Sequence, residues 1–214
     1  PPTMRKTVAL CVRHRVALGA HPSLLDLQGF GRREMKMSPD EIYAQTLYQI
    51  GALQAFAHAA GTRLRHVKPH GALYNMAACE RALADAIAHA VADFDRRLIL
   101  VGLAGSALVA AGLALDLAVS REGFCDRRYR ADGSLTSRSE PHSVFEDRAE
   151  AVAQAVAIAT RQQVVSADGA TVRVEADTLC VHGDRPDAAL FAHDLHQALQ
   201  EAGIQVTAGP ARAC

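Results

Sequence analysis

The chain alternates strand-sized apolar stretches with helix-like segments, and polar clusters follow several of the apolar stretches. Five segments show this layout, namely 16–33, 64–75, 98–106, 117–129 and 178–184. In βα units, the loops that leave the carboxyl ends of parallel strands gather on one face, where ligand sites are built. The repeated layout therefore predicts an α/β fold, and it favours an enzyme over five unrelated turns.

The periodicity of apolar residues, together with residues typical of helix ends and turns, predicts the individual helices and strands. Ser38-Pro39-Asp40-Glu41 predicts a helix start with a capping box, and Asp168-Gly169 predicts a hairpin turn. The predicted helices cover about 3–14, 38–60, 79–93, 106–112, 147–162 and 184–203, and the predicted strands cover about 17–20, 64–67, 98–103, 115–119 and 178–181, with a hairpin over 164–174.

Length, charge and cysteine content indicate how many domains the chain has, which general binding partners its composition does not favour, and where in the cell it is located. A chain of 214 residues fits one domain over 1–214, with a frayed tail after about residue 204. The 23 basic and 23 acidic residues cancel, so the composition encodes no general attraction to nucleic acid or acidic membranes. No stretch of about 18 or more apolar residues occurs, so no membrane span is predicted. The five cysteines are odd in number and lack CxxC spacing, which predicts free thiols and a cytoplasmic location.

Lys68 and His70 are the strongest candidate pair for chemistry. They lie two residues apart at a predicted strand end, flanked by Pro69 and Gly71. A lysine there can bind a carboxylate or phosphate, and a histidine can transfer a proton near neutral pH. The plainer alternative is a surface charge beside a turn histidine that bonds to the backbone.

His182 and Asp184 follow the last predicted strand, and His21 follows the first one. Asp184 is also suited simply to capping the last helix. Three strand-end histidines raise the question of a divalent metal, since imidazole suits Zn, Fe or Ni. No HExxH or other close ligand spacing accompanies them, so we predict no resident metal and keep a transition metal as the less favoured interpretation.

Glu122 and Asp126 are carboxylates on either side of Phe124 and Cys125. One of them is a candidate general base or a ligand for a cation-bound phosphate, and the plainer alternative is an ion pair with a neighbouring arginine. We do not predict Cys125 as a nucleophile, because an apolar neighbour and a nearby acid raise the pKa of a thiol.

Arg32, Arg127 and Arg138 are candidate anion ligands, because guanidinium binds carboxylate and phosphate in a bidentate way. Each of them taken alone is better explained as a surface residue. The sequence has neither GxxxxGK[ST] nor GxGxxG, so it shows no standard nucleotide-binding motif.

Several blocks together resemble the LamB/YcsF family over nearly the whole chain, to about Gly203. They are GAHPSLLDLQGFGRR at 19–33, HVKPHGALYN at 66–75, VGLAGSAL at 101–108, E-x-F-x-D-R-x-Y at 122–129 and TLCVHGD at 178–184. That family contains the A subunit of the bacterial ATP-dependent 5-oxoprolinase.

The resemblance implies a β/α barrel related to the glycoside hydrolase/deacetylase barrels. It also implies hydrolytic opening of 5-oxo-L-proline to L-glutamate coupled to hydrolysis of ATP, with Mg²⁺ and with separate B and C subunits. Family members begin with an additional strand that this chain lacks, so we expect a barrel open at one seam. Cys125 stands where a small residue such as Ala is usual.

These inferences give a set of predicted site residues. The predicted catalytic residues are Lys68, His70, His182, Asp184, Glu122 and Asp126, and the predicted substrate-binding residues are His21, Arg32, Arg138 and Asn75. Two alternatives stay open, namely a metal-dependent deacetylase or carbohydrate hydrolase on a related barrel, and a partner subunit without catalytic activity. A stoichiometric transition metal would favour the deacetylase. Intact activity of the complex after Lys68→Ala and His70→Ala would favour the non-catalytic partner.

Overall fold

The computed structural model describes residues 1–138, 140–183 and 186–207. The chain forms two compact units, the first ending at Ser120 and the second beginning at Arg121. The helices are α1 Pro2–His14, α2 Pro39–Ala59, α3 Gly71–Cys79, α4 Arg81–Asp95, α5 Ala107–Ala114, α6 Arg148–Arg161 and α7 Ala188–Glu201. The strands are β1 Leu18–Ala20, β2 Leu64–Val67, β3 Ile99–Leu103, β4 Ala118–Phe124, β5 Gln163–Val165, β6 Thr171–Arg173 and β7 Thr178–Cys180.

The first unit is built on a parallel sheet. β1 pairs with β2 and β2 pairs with β3, both in parallel. Helix α2 begins with the predicted capping box, in which Ser38 and Glu41 satisfy each other's backbone N–H groups. The buried core of this unit comes from its strands and the apolar faces of its helices, and includes Ile42, Ile50, Val67, Ile87, Val91, Leu100 and Leu108.

The second unit contains a parallel strand pair, a hairpin and two helices. β4 pairs with β7 in parallel, with Glu122 opposite Thr178 and Phe124 opposite Cys180. β5 and β6 form the predicted antiparallel hairpin. Helices α6 and α7 pack on each other over a buried cluster of Cys125, Phe145, Ala151, Ala155, Phe191, Leu195 and Leu199.

The predicted α/β class is confirmed, because parallel strands alternate with helices as they do in a β/α barrel. Three element predictions need correction. The segment after Lys68-Pro69-His70 is the helix α3, β4 starts three residues later than predicted, and α7 starts at Ala188 after Asp187. Asp184, the predicted cap of that helix, lies outside the described residues.

In the described part of the chain, no helix combines the length and hydropathy needed to cross a membrane. The prediction of a single domain over the whole chain stays a prediction.

Candidate functional site

In the first unit, the loops after β1 and β2 bring His21, Lys68 and His70 together. Backbone hydrogen bonds continue past the strand ends, from Lys68 N–H to the Ala20 carbonyl at 2.9 Å and from His70 N–H to the Pro22 carbonyl at 2.8 Å. Neighbouring parallel strands therefore carry three of the predicted polar residues at their carboxyl ends, which is where α/β folds bind ligands.

The two histidines are fixed by three contacts of their ring nitrogens. His21 Nδ1 lies 2.6 Å from the Lys68 carbonyl oxygen, and His70 Nε2 lies 2.8 Å from the Phe30 carbonyl oxygen. The other two nitrogens, His21 Nε2 and His70 Nδ1, are 3.0 Å apart. A carbonyl oxygen only accepts hydrogen bonds, so His21 Nδ1 and His70 Nε2 each carry a hydrogen.

Close packing holds the loop 21–33 against the His70 ring. The ring of Phe30 meets the ring of His70 edge to face, with centroids 5.1 Å apart. Gly31 and Gly71 have φ values of +66° and +59°. A Cβ on Gly31 would lie 1.8 Å from Ser23 Oγ, and one on Gly71 would lie 2.4 Å from the Gly31 carbonyl oxygen. Only glycine permits this approach of the two loops.

The charges around His21 favour its neutral form. The pKa of His21 is lowered to about 4, chiefly by desolvation of its ring and also by the charges of Lys68, His70 and His66, while the hydrogen bond with the Lys68 carbonyl opposes the shift. Desolvation also lowers the pKa of His66, to which Lys68 again contributes. The Lys68 ammonium lies 5.9 Å from the centre of the Tyr74 ring. The cluster therefore combines one cation with a neutral imidazole.

The loop 21–33 also contains an ion pair that the sequence analysis missed. Arg33 donates from Nε to both carboxylate oxygens of the buried Asp26, at 3.1 and 3.0 Å. Arg32, the predicted anion ligand, is exposed and lies with its guanidinium carbon 5.4 Å from the centre of the Phe30 ring. Asn75 lies exposed on α3. Nothing in the sequence distinguished Arg33 from Arg32.

In the second unit, Asp126 and His182 form a carboxylate–imidazole pair. His182 Nδ1 lies 2.9 and 3.0 Å from the two carboxylate oxygens of Asp126, which is 1 % exposed. The His182 ring stacks on Phe124, with centroids 5.8 Å apart. The alternative partner Arg128 instead pairs with Glu150 at 3.7 Å. When Nδ1–H is donated to the carboxylate, Nε2 becomes the basic nitrogen, as a general base requires.

Two buried side chains fix the segment around Asp126. The side-chain amide of Gln154 donates to the carbonyls of Phe124, Cys125 and Arg127, at 2.9, 3.1 and 2.8 Å. The Tyr129 hydroxyl accepts the Phe124 N–H at 2.7 Å. Gln154 is distant from Asp126 in sequence, so no local signal marks it, whereas Tyr129 closes the E-x-F-x-D-R-x-Y block that contains Asp126.

The remaining predicted residues of the second unit differ in exposure. Glu122 is buried on β4, and Arg138 is exposed. Burial raises the pKa of the Cys125 thiol well above its usual value, in agreement with its rejection as a nucleophile. Burial also lowers the pKa of Arg127 to about 10, with a contribution from Arg138, and the Arg127 guanidinium donates to the Thr136 carbonyl.

The structure therefore shows two local clusters of predicted residues. His21, Lys68 and His70 lie together in the first unit, and Asp126 and His182 lie together in the second. Within the described ranges, no group of three or more His, Cys, Asp or Glu side chains is arranged to hold a metal ion. The catalytic and substrate-binding roles of all these residues stay predictions.

Comparisons with known proteins identify the family of the chain. The LamB/YcsF family matches residues 1–213. The chain is 58 % identical over 208 residues to the 5-oxoprolinase A subunit of Methylococcus capsulatus, covering 97 % of this chain and 80 % of the relative. It is 54 % identical to the 5-oxoprolinase A subunit of Geobacillus kaustophilus, covering 97 % of this chain and 81 % of that relative. The solved structure of a lactam utilization protein from Thermus thermophilus is 46 % identical with a TM-score of 0.88, covering 96 % of this chain and 82 % of that chain.

Proposed function

This chain belongs to the LamB/YcsF family, and we propose that it serves as the A subunit of an ATP-dependent 5-oxoprolinase. The observation that carries the proposal is the 58 % identity to the Methylococcus relative of that name over 97 % of the chain. The reaction takes 5-oxo-L-proline, ATP and two waters to L-glutamate, ADP and phosphate. A deacetylase or carbohydrate hydrolase on a related barrel is the alternative, and the relatives named above do not bear such names.

The chemistry of the substrate explains why ATP is consumed. A five-membered lactam is a stable amide, so water alone opens it slowly. Transfer of a phosphoryl group to the lactam oxygen makes the ring carbon more electrophilic and supplies a leaving group. Attack by one water then breaks the carbon–nitrogen bond, the nitrogen takes up a proton, and the product is an acyl phosphate of glutamate. A second water displaces phosphate from that acyl group to leave L-glutamate. ATP with Mg²⁺ belongs to the complex with the B and C subunits in this proposal, and free cysteines fit a cytoplasmic location.

We assign Lys68 to binding an anionic group of the substrate. Its side chain is half-buried just after the end of β2, next to the neutral His21 ring. The substrate carboxylate and a transferred phosphoryl group are both anions, and a partly desolvated cation binds either more strongly than one in open water. In the first unit, His70, His21, Arg32 and Asn75 keep their predicted roles in catalysis and substrate binding, and Arg138 of the second unit keeps its predicted role in substrate binding.

We assign Asp126 and His182 to activating the attacking water. The buried carboxylate fixes the imidazole tautomer so that Nε2 is the base, and the imidazolium formed on proton uptake is stabilised by the carboxylate. Gln154 acts through the backbone as a positioning residue for this pair.

The kinetics of two variants in the assembled complex test these assignments. Lys68→Met should raise KM for 5-oxoproline by about tenfold or more, because a charged contact to the substrate is lost. Asp126→Asn should lower kcat by about 100-fold or more with little change in KM, because the base loses its orienting carboxylate. Matched controls are Lys36→Met and Asp132→Asn, both on exposed side chains. Unchanged glutamate formation in both test variants would overturn the assignments.

A further inference from the structure

The inner ring nitrogens of His21 and His70 lie close to each other, and neither has a hydrogen to donate when both rings are neutral. Each ring uses its outer nitrogen to donate to a backbone carbonyl, of Lys68 and of Phe30 respectively. In the neutral rings, the inner nitrogens His21 Nε2 and His70 Nδ1 then both carry lone pairs. Two lone pairs that face each other across 3.0 Å repel unless a cation lies between or beside them.

We propose that His21 Nε2 and His70 Nδ1 form a binding site for a divalent transition metal ion such as Zn²⁺ or Co²⁺. The proposal goes beyond the function proposed above and does not depend on it, because an added ion that binds weakly and reversibly differs from the metal retained by the purified protein that would favour a deacetylase. Imidazole nitrogen is a preferred ligand of these ions. Two nitrogens 3.0 Å apart, each about 2.1 Å from a common ion, subtend an angle of about 90° at that ion, which is the angle between neighbouring ligands of an octahedral ion and is narrower than the about 109° of a tetrahedral one.

The outer contacts of the two rings support the same conclusion. A histidine that binds a metal commonly donates its other N–H to a backbone carbonyl or a carboxylate, which fixes its tautomer and the direction of its lone pair. Both rings show this arrangement, through the Lys68 carbonyl at 2.6 Å and the Phe30 carbonyl at 2.8 Å. The exposed side of His21 leaves a path by which an ion can enter.

The surroundings of the pair indicate an open site of modest affinity. Among the residues that the structure describes, no third His, Cys, Asp or Glu side chain joins the two histidines. Water, or a carboxylate or carbonyl oxygen of a small ligand, would fill the other coordination positions. Lys68 places a positive charge next to His21, which also weakens the attraction for a second cation.

Metal titration of the purified, chelator-treated chain tests the proposal without any activity assay. Calorimetry with Zn²⁺ and the absorption spectrum with Co²⁺ should show one ion per chain. His21→Asn and His70→Asn should each weaken this binding by about tenfold or more. His58→Asn is the matched control, because His58 is an exposed histidine in the last turn of α2, and it should bind as the wild type does.

Nitrogen NMR of the imidazoles is measured on the wild-type protein, so it tests the proposal even if a histidine variant fails to fold. Zn²⁺ should shift the signals of His21 Nε2 and His70 Nδ1 and leave that of His58 unchanged. A proton shared between His21 Nε2 and His70 Nδ1 is the alternative to a metal ion at this position. The proposal is overturned if neither ion binds, if both asparagine variants bind as tightly as the wild type, or if a proton between the two rings is not displaced by Zn²⁺.

Discussion

At the scale of single residues, Gln154 supports the second unit more than its surface neighbours do. Its buried amide is a donor to three carbonyls at once. We expect Gln154→Leu to lower the free energy of unfolding by about 1–3 kcal/mol, because buried carbonyls lose a donor. Urea denaturation measures the change. Gln197→Leu is the control, since Gln197 is exposed and bonds within one helix turn to Glu201. Equal effects of the two substitutions would contradict the account.

The ion pair of Asp26 with Arg33 makes stability depend on pH in acid. The hydrogen bond from Arg33 lowers the pKa of the Asp26 carboxyl to about 2, and the N–H of Gly29 contributes. An unfolded aspartate has a pKa of about 3.9. Because the folded-state pKa is the lower one, the stabilisation is complete above the unfolded pKa and is lost as pH falls towards the folded pKa.

This sign gives a prediction for the variant Asp26→Asn. The difference in unfolding free energy between wild type and variant should be constant above about pH 5 and should shrink between about pH 4 and pH 2. Urea denaturation of both proteins over a pH series measures it. A difference that stays constant, or that grows in acid, would show that the pair does not stabilise the fold.

The residue scale also shows what the sequence could not reveal. Lys68 and His70 are predicted as a pair and His21 as a strand-end residue, and the structure places all three together. The bond between Asp126 and His182 depends on the register of β4 with β7, which no local pattern specifies. Only the spacing of Lys68 and His70 is local, because the contact of His21 with His70 likewise depends on the pairing of β1 with β2.

At the scale of elements, the contact between the loop 21–33 and the start of α3 requires glycine. Gly71 and Gly61 both have positive φ, at +59° and +67°. A Cβ on Gly71 would lie 2.4 Å from a backbone oxygen, whereas one on Gly61 would have nothing within 4 Å. The two positions therefore separate the effect of close contact from that of backbone conformation.

Alanine at these positions gives the corresponding prediction. Gly61→Ala should cost about 1–2 kcal/mol of unfolding free energy through the left-handed conformation alone. Gly71→Ala should cost about 1–3 kcal/mol more, because the loops must also move apart. Thermal or urea denaturation compares them. Equal costs would mean that the close approach of the two loops does not matter for stability.

Some elements could be predicted and others could not, for local reasons. The start of α2 was predicted because Ser38 and Glu41 carry the whole signal within four residues. Helix α3 was missed because its N-cap, His70, makes no side-chain capping bond and its first residue is Gly71. Strand β4 starts late because Asp116 takes a left-handed conformation, with φ of 55°, inside an apolar run that resembles a strand.

At the scale of the whole molecule, the strand–helix rhythm was enough to predict the fold class. The rhythm repeats along the chain, and an α/β fold with parallel strands follows from it. The division into two compact units had no sequence signal, because no linker or shift in composition marks residue 120. The family membership rests on whole blocks of sequence, and the chain covers about four fifths of the relatives' length, 80 and 81 % of the two named above.

The most direct test of the account is glutamate formation from 5-oxoproline in a cell extract that lacks its own 5-oxoprolinase A subunit. The Methylococcus relative should restore the activity, which shows that the extract is competent. Addition of this chain should restore ATP-dependent glutamate formation as well, and the Asp126→Asn variant should not. A second sample of the extract receives a longer form of this chain, in which the additional first strand of the Methylococcus relative is fused to its N-terminus. If the relative restores the activity and neither form of this chain does, the proposed function is wrong.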